Sequence, residues 1–169
     1  MTDTLTTPPP LPGGFAAISK YNPHLWTPDQ LRAIFVARQR ELADLTQTLV
    51  SLKSGDVGQH CLLVGARGMG KSTLMQRLAL AVEDDAKLRA AWLPLRFPEE
   101  QYTVNTLAQF WANVLDSLAD ALERRGEATE AIDSTAARLG ALSVAEQAIA
   151  TLQAIRDISR ERGQRLLLL

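Results

Sequence analysis

The residues with the clearest chemical potential run Gly65-Ala66-Arg67-Gly68-Met69-Gly70-Lys71-Ser72-Thr73. A polyphosphate brings several negative charges that must lose water on one side without being left unpaired. Glycines at 65, 68 and 70 allow backbone conformations in which successive N–H groups point inward, a concave nest for anionic oxygens. Lys71 adds a mobile positive charge suited to terminal phosphates. Ser72 offers a hydroxyl oxygen to Mg²⁺, an ion that keeps most of its shell as water and phosphate oxygen. The spacing G-x-x-x-x-G-K-[ST] is therefore that of a loop built to hold a Mg²⁺-bound polyphosphate. Composition alone produces the pattern in roughly one chain in two hundred of this length.

Such a loop needs a strand before it and a helix after it. The apolar run Cys61-Leu62-Leu63-Val64 predicts a buried central strand at about 60–64. Beyond the loop, Leu74, Leu78 and Val82 recur at helical spacing with Met75 and Ala79 beside them. The first turn of that helix would present unpaired N–H groups and a positive dipole end to phosphate. Cys61, the single cysteine, has no partner for an internal disulfide and reads as a small buried hydrophobe.

A length of 169 residues, a hydrophobic fraction of 46% and a formal net charge of −1 describe one globular domain with a real core. The charge balance supplies neither a bulk basic excess for nucleic acid nor an acidic tail. No apolar run reaches membrane-spanning length and the start of the chain lacks a signal-peptide layout, so the expectation is a cytoplasmic protein without membrane contact. Residues 1–20 read as a disordered Pro/Thr/Gly-rich tail, and 21–169 as the ordered domain. The tail's Pro8-Pro9-Pro10-Leu11-Pro12 could serve as a polyproline ligand, although a solvated leader explains it more simply.

Further on, Thr27-Pro28-Asp29-Gln30 has the form of a capping box opening a short helix. A longer helix is predicted from about Arg38 to Lys53, with Leu42, Leu45, Leu49 and Leu52 inward and Gly55 as its stop. Ala91 to Phe97 reads as a second strand, with Pro94 pointing to an edge or a bulge. Val104 to Leu122 carries a helical apolar stripe of Val104, Leu107, Trp111, Leu115, Leu118 and Leu122. A polar connection over 126–134 and a short helix near 136–142 follow. Ser143-Val144-Ala145-Glu146 opens another helix to about Arg160, with Val144, Ala148, Leu152 and Ile155 inward and Gly163 ending it. The sequence closes on Leu166-Leu167-Leu168-Leu169, a third apolar strand. The βα alternation predicts an α/β fold, a three-layer αβα core that is incomplete at its C-terminal end.

With Phe35-Val36-Ala37-Arg38-Gln39-Arg40-Glu41-Leu42 placed before the glycine loop, the chain resembles P-loop ATPases of the AAA and STAND types, over about 27–169. The resemblance implies a Walker A loop at Gly65–Thr73 that binds Mg²⁺–ATP. It also implies that Val36, Ala37 and Arg38 lie near the adenine and that Glu41 forms an ion pair at its helix start. Ala37 departs from the glycine usual in that box. The resemblance further implies that Leu166–Leu169 is the strand that in such families ends in a Mg²⁺-holding acid, here without that acid, and that it lies directly beside 60–64 with 91–97 further out. No catalytic residue is assigned within the chain; hydrolysis is expected to depend on an acid, sensors and an arginine finger beyond residue 169. The chain alone is expected to bind nucleotide weakly and turn it over at no useful rate.

Two functions follow from the resemblance. One is an ATPase that remodels a protein or nucleic-acid partner, with room for a homo-oligomer in a full-length parent. The alternative is a STAND-like nucleotide-gated switch or scaffold with little turnover. Other polar groups suggest less. His24 and His60 lack ligand partners at metal spacing. Asp84-Asp85 and Glu99-Glu100 read as solvated pairs, and the Arg/Glu clusters at 123–125 and 160–162 mix signs at helix ends. Trp92 and Trp111 read as core, and Trp26 as a staple before a helix cap.

Overall fold

The computed structural model describes residues 26–52, 56–97 and 104–169. The predicted tail, His24, Gly55, Glu99 and Glu100 lie outside the described residues. The chain is α/β, with helices and a small parallel sheet, and it divides into two compact units, residues 1–81 and 82–169.

In the first unit, α1 (Pro28–Ile34) starts as its residues dictate. The Thr27 hydroxyl accepts from the Gln30 amide at 3.3 Å, and the Gln30 side chain accepts from the Thr27 amide at 3.0 Å. Two amide donors that an open helix end would leave unpaired are thereby satisfied. Trp26, just outside the cap, is half-buried, and Leu31 is buried. Helix α2 (Gln39–Ser51) buries Leu42 and Leu49, while Leu45 and Leu52 are only half-buried. After the glycine loop, α3 (Lys71–Asp84) starts in this unit and ends in the second, and it buries Leu74, Leu78, Ala79 and Val82, the stripe that the spacing predicts.

The predicted central strand at 60–64 does not form. Residues 56–66 belong to no ladder; Cys61 is exposed, and Leu62 and Val64 are 88% and 83% exposed. Apolarity says that a segment can be buried, not which ladder will receive it. Among the described residues the two strands that form, β1 (Trp92–Leu95) and β2 (Arg165–Leu168), pair with each other. The expectation that the Leu166–Leu169 strand lies directly beside 60–64, with the 91–97 strand further out, is therefore overturned.

Both strands belong to the second unit. They run parallel, with Trp92 opposite Arg165 and Leu95 opposite Leu168. Leu95 accepts from the Leu169 amide and Phe97 donates to the Leu169 carbonyl, each at 2.9 Å. Because backbone groups alternate sides along a strand, Pro94 turns its missing donor to the edge away from β2, as a strand proline must. Between the strands the chain makes a crossover through α5 (Leu107–Arg124), α6 (Glu130–Gly140) and α7 (Val144–Arg162). Leu93 and Leu95 meet Val114, Leu115, Leu118 and Leu122 of α5, with Ile132, Leu139 and Ile155 closing the core from α6 and α7.

Three local differences from the sequence reading have physical causes. Helix α5 begins at Leu107 because Thr106 and Gln109 form a capping box, leaving Val104 outside the helix and Leu107 exposed. Helix α6 begins within the predicted polar connection, since Ile132 reaches the core. A six-residue helix, α4 (Ala86–Ala91), follows α3; Asp85 caps it by accepting from the Lys87 and Leu88 amides at 2.8 and 3.0 Å. Helix α7 has its predicted Ser143–Glu146 box and ends at Gly163 with φ +62°, although Val144 is exposed.

Candidate nucleotide site

The loop from Gly65 to Gly70 owes its shape to two residues in the left-handed region, Gly68 at φ +80° and Gly70 at φ +76°. A Cβ at either position would meet no atom within 4 Å, so the backbone angle, not crowding, demands glycine. A turn at Arg67-Gly68 brings the Met69 amide to the Ala66 carbonyl at 3.4 Å. From Gly70 the chain enters α3 directly, the Leu74 amide bonding the Gly70 carbonyl at 3.0 Å.

Lys71 is the first residue of α3 and folds back over the loop. Its ammonium donates to the carbonyls of Gly65 at 2.8 Å and Ala66 at 3.0 Å. Among the described residues no ion pair involves it, and the first turn of α3 holds no acid. Ser72 and Thr73 stand half-buried in the same turn, and Arg67 is exposed. The loop and helix start thus gather a cation, a hydroxyl and several backbone donors within one short stretch. Met69 adds a contact that the residue pattern does not announce: its thioether accepts from the Ala66 amide at 3.2 Å.

The residues assigned to the adenine side fall between α1 and α2. Phe35 is buried, Val36 is 81% exposed, and Ala37 is exposed. Arg38 is half-buried at φ +60°, the one non-glycine residue with positive φ among those described. The left-handed backbone bend thus falls at Arg38 and not at Ala37. The Gln39 side chain donates to the Phe35 carbonyl, and Arg38 accepts from the Leu42 amide at 3.0 Å to begin α2. Glu41 is exposed in the first turn of α2, and no ion pair among the described residues involves it, against the expectation of a structural pair there.

Elsewhere the described residues offer less. No group of three or more His, Cys, Asp or Glu could hold a metal ion, and His60 is exposed. In the second unit a groove of about 430 Å³ lies among α5, α6 and α7. Its floor includes Leu122, Ile132 and Ile158, and its rim mixes Arg138 and Arg162 with Asp157 and Glu161. The opposite signs offset one another and select no ion. No helix among the described residues is long and apolar enough to cross a membrane.

A family model described as an AAA ATPase domain matches residues 34–169. No curated protein and no solved structure matches the chain.

Proposed function

Because the chain belongs to the AAA ATPase domain family and is thereby a nucleotide-binding ATPase module, we propose that Gly65–Thr73 is its Walker A loop and binds Mg²⁺–ATP. The observation that carries this reading is the pair of left-handed glycines, 68 and 70, running straight into the start of α3 with the Lys71 ammonium folded over the loop. The loop amides and the first turn of α3 take the phosphate oxygens. Lys71 exchanges two neutral carbonyl acceptors for the charged oxygens of the β- and γ-phosphates, a stronger charge-assisted bond. Ser72 would hold Mg²⁺ through its hydroxyl, and the ion would supply positive charge to offset that of the phosphates. Val36 and Arg38 lie on the adenine side, with the bend at Arg38 aiming the segment.

We assign no catalytic carboxylate among the described residues. Asp85 is committed to capping α4, and phosphoryl transfer needs an acid placed to orient the attacking water. The module therefore binds nucleotide, and its turnover depends on groups outside this loop. Whether the protein works as a remodelling ATPase or as a nucleotide-gated switch is decided by the rate of that turnover.

Calorimetric titration with Mg²⁺–ATP tests the assignment. Lys71→Ala removes a charge-assisted contact of about 1.5–3 kcal/mol, roughly a ten- to hundredfold loss of affinity. Equal binding by wild type and Lys71→Ala would contradict it. ADP release followed in the same samples separates engine from switch.

A further inference from the structure

We propose that the glycine loop carries its own competitor for phosphate: the Met69 thioether occupies the backbone donor of Ala66, and an incoming phosphate must displace it. The inference rests on the Mg²⁺–ATP reading above.

One hydrogen bond reaches the sulfur, and the surrounding backbone closes around it. The Ala66 amide donates to Met69 Sδ at 3.2 Å, and the Met69 amide donates back to the Ala66 carbonyl at 3.4 Å, so the two residues close on each other. The position a Cβ would take at Gly65 lies 3.4 Å from the same sulfur, which places the thioether against the start of the loop as well. Met69 is nonetheless 52% exposed, on an unbranched side chain free to swing outward. A short side chain at position 69 could not reach the Ala66 amide in this way.

The chemistry makes this a gate and not a block. A thioether is a weak acceptor, whereas a phosphate oxygen is charged and forms a shorter, stronger bond with an amide. Phosphate therefore wins the donor, but the affinity observed is reduced by the bond it replaces. The same amide stays satisfied when no anion holds it, so the nest need not collapse onto a wrong partner.

Met69→Leu keeps the side-chain volume and deletes the acceptor, and Met69→Ala deletes both acceptor and bulk. Titrated with Mg²⁺–ATP and with pyrophosphate, both variants should bind about two- to fivefold more tightly than wild type. Adenosine, which lacks phosphate, should bind all three proteins alike. In amide NMR spectra the Ala66 signal should shift in both variants, and its hydrogen exchange should quicken. Unchanged or weaker binding in both variants, with the Lys71→Ala loss intact, would overturn the competitor and leave the phosphate loop standing. Equal binding by wild type and Lys71→Ala would overturn both.

Discussion

Arg125 and Glu83, 42 positions apart, meet as a guanidinium fork on a carboxylate. Nη2 reaches Oε1 at 2.8 Å and Nε reaches both carboxylate oxygens, at 3.1 and 3.2 Å. The same guanidinium donates to the Trp92 carbonyl at 2.9 Å, and Arg89 reaches Glu83 from the other side at 3.3 Å. The Arg125 side chain is 5% exposed and that of Glu83 29%. One arginine thus ties the end of α3 and the start of β1 to the C-cap of α5. Arg96 nearby is held below the usual guanidinium range by burial first and by the Arg124 charge second, with Glu83 acting in the opposite sense.

Removing Arg125 should leave Glu83 half-shielded and the Trp92 carbonyl unpaired. A fully buried pair broken on one side costs about 3–5 kcal/mol; the remaining water access of Glu83 and its contact with Arg89 reduce that to about 2–3 kcal/mol for Arg125→Ala. A chain of this size should melt about 4–12 °C lower. Denaturant titration checks this, and a loss under about 0.5 kcal/mol, the range of an ordinary surface substitution, would show that the fork contributes little.

Arg38 occupies a backbone region that costs an L-residue about 1–2 kcal/mol. Glycine relieves that cost but loses more chain entropy on folding. Arg38→Gly should therefore leave stability unchanged or raise it by up to about 1 kcal/mol, while Arg38→Val, β-branched, should lower it. Thermal melts of the two variants should separate in that order; the reverse order would mean that the left-handed bend is not needed to start α2.

The Glu146 carboxyl is held below its ordinary 4.5 by hydrogen bonds from the Ser143 hydroxyl and backbone, outweighing a small opposing effect of burial. A carboxylate depressed in the folded state stabilises above its ordinary value, and the benefit is lost as pH falls through the depressed one. The first turn of α7 should therefore hold down to pH 4.5 and fray below it. In an NMR titration Ser143→Ala should move the Glu146 midpoint back up; an unmoved midpoint would deny the capping box that role.

Features legible in the sequence are those fixed by neighbours along the chain. Thr27 with Gln30, Ser143 with Glu146, and Gly163 each satisfy groups within one turn, and the structure has all of them. The glycine loop entering α3 belongs to the same class. Thr106 with Gln109 carried the same signal, but the apolar residues at Val104 and Leu107 drew the predicted helix start upstream of it. Asp85 likewise read as half of a solvated pair when it was the cap of a short new helix. The strand at 60–64 failed for another reason: its partner would be distant in sequence, and nothing in Cys61–Val64 names one. The Met69–Ala66 contact was closed to pattern reading because it depends on a rotamer, not on a residue type.

The pairing of Trp92 with Arg165 has a consequence for how the second unit assembles in time. All of α5, α6 and α7 lies between the two strands. Bringing their ends together from an open chain means closing a long loop before any ladder bond rewards it. Packing α5 against α7 through Val114, Leu118 and Ile155 first would shorten that search, since those helices already carry most of the core. Topology should then set the folding speed of this unit more than the strength of its strands does.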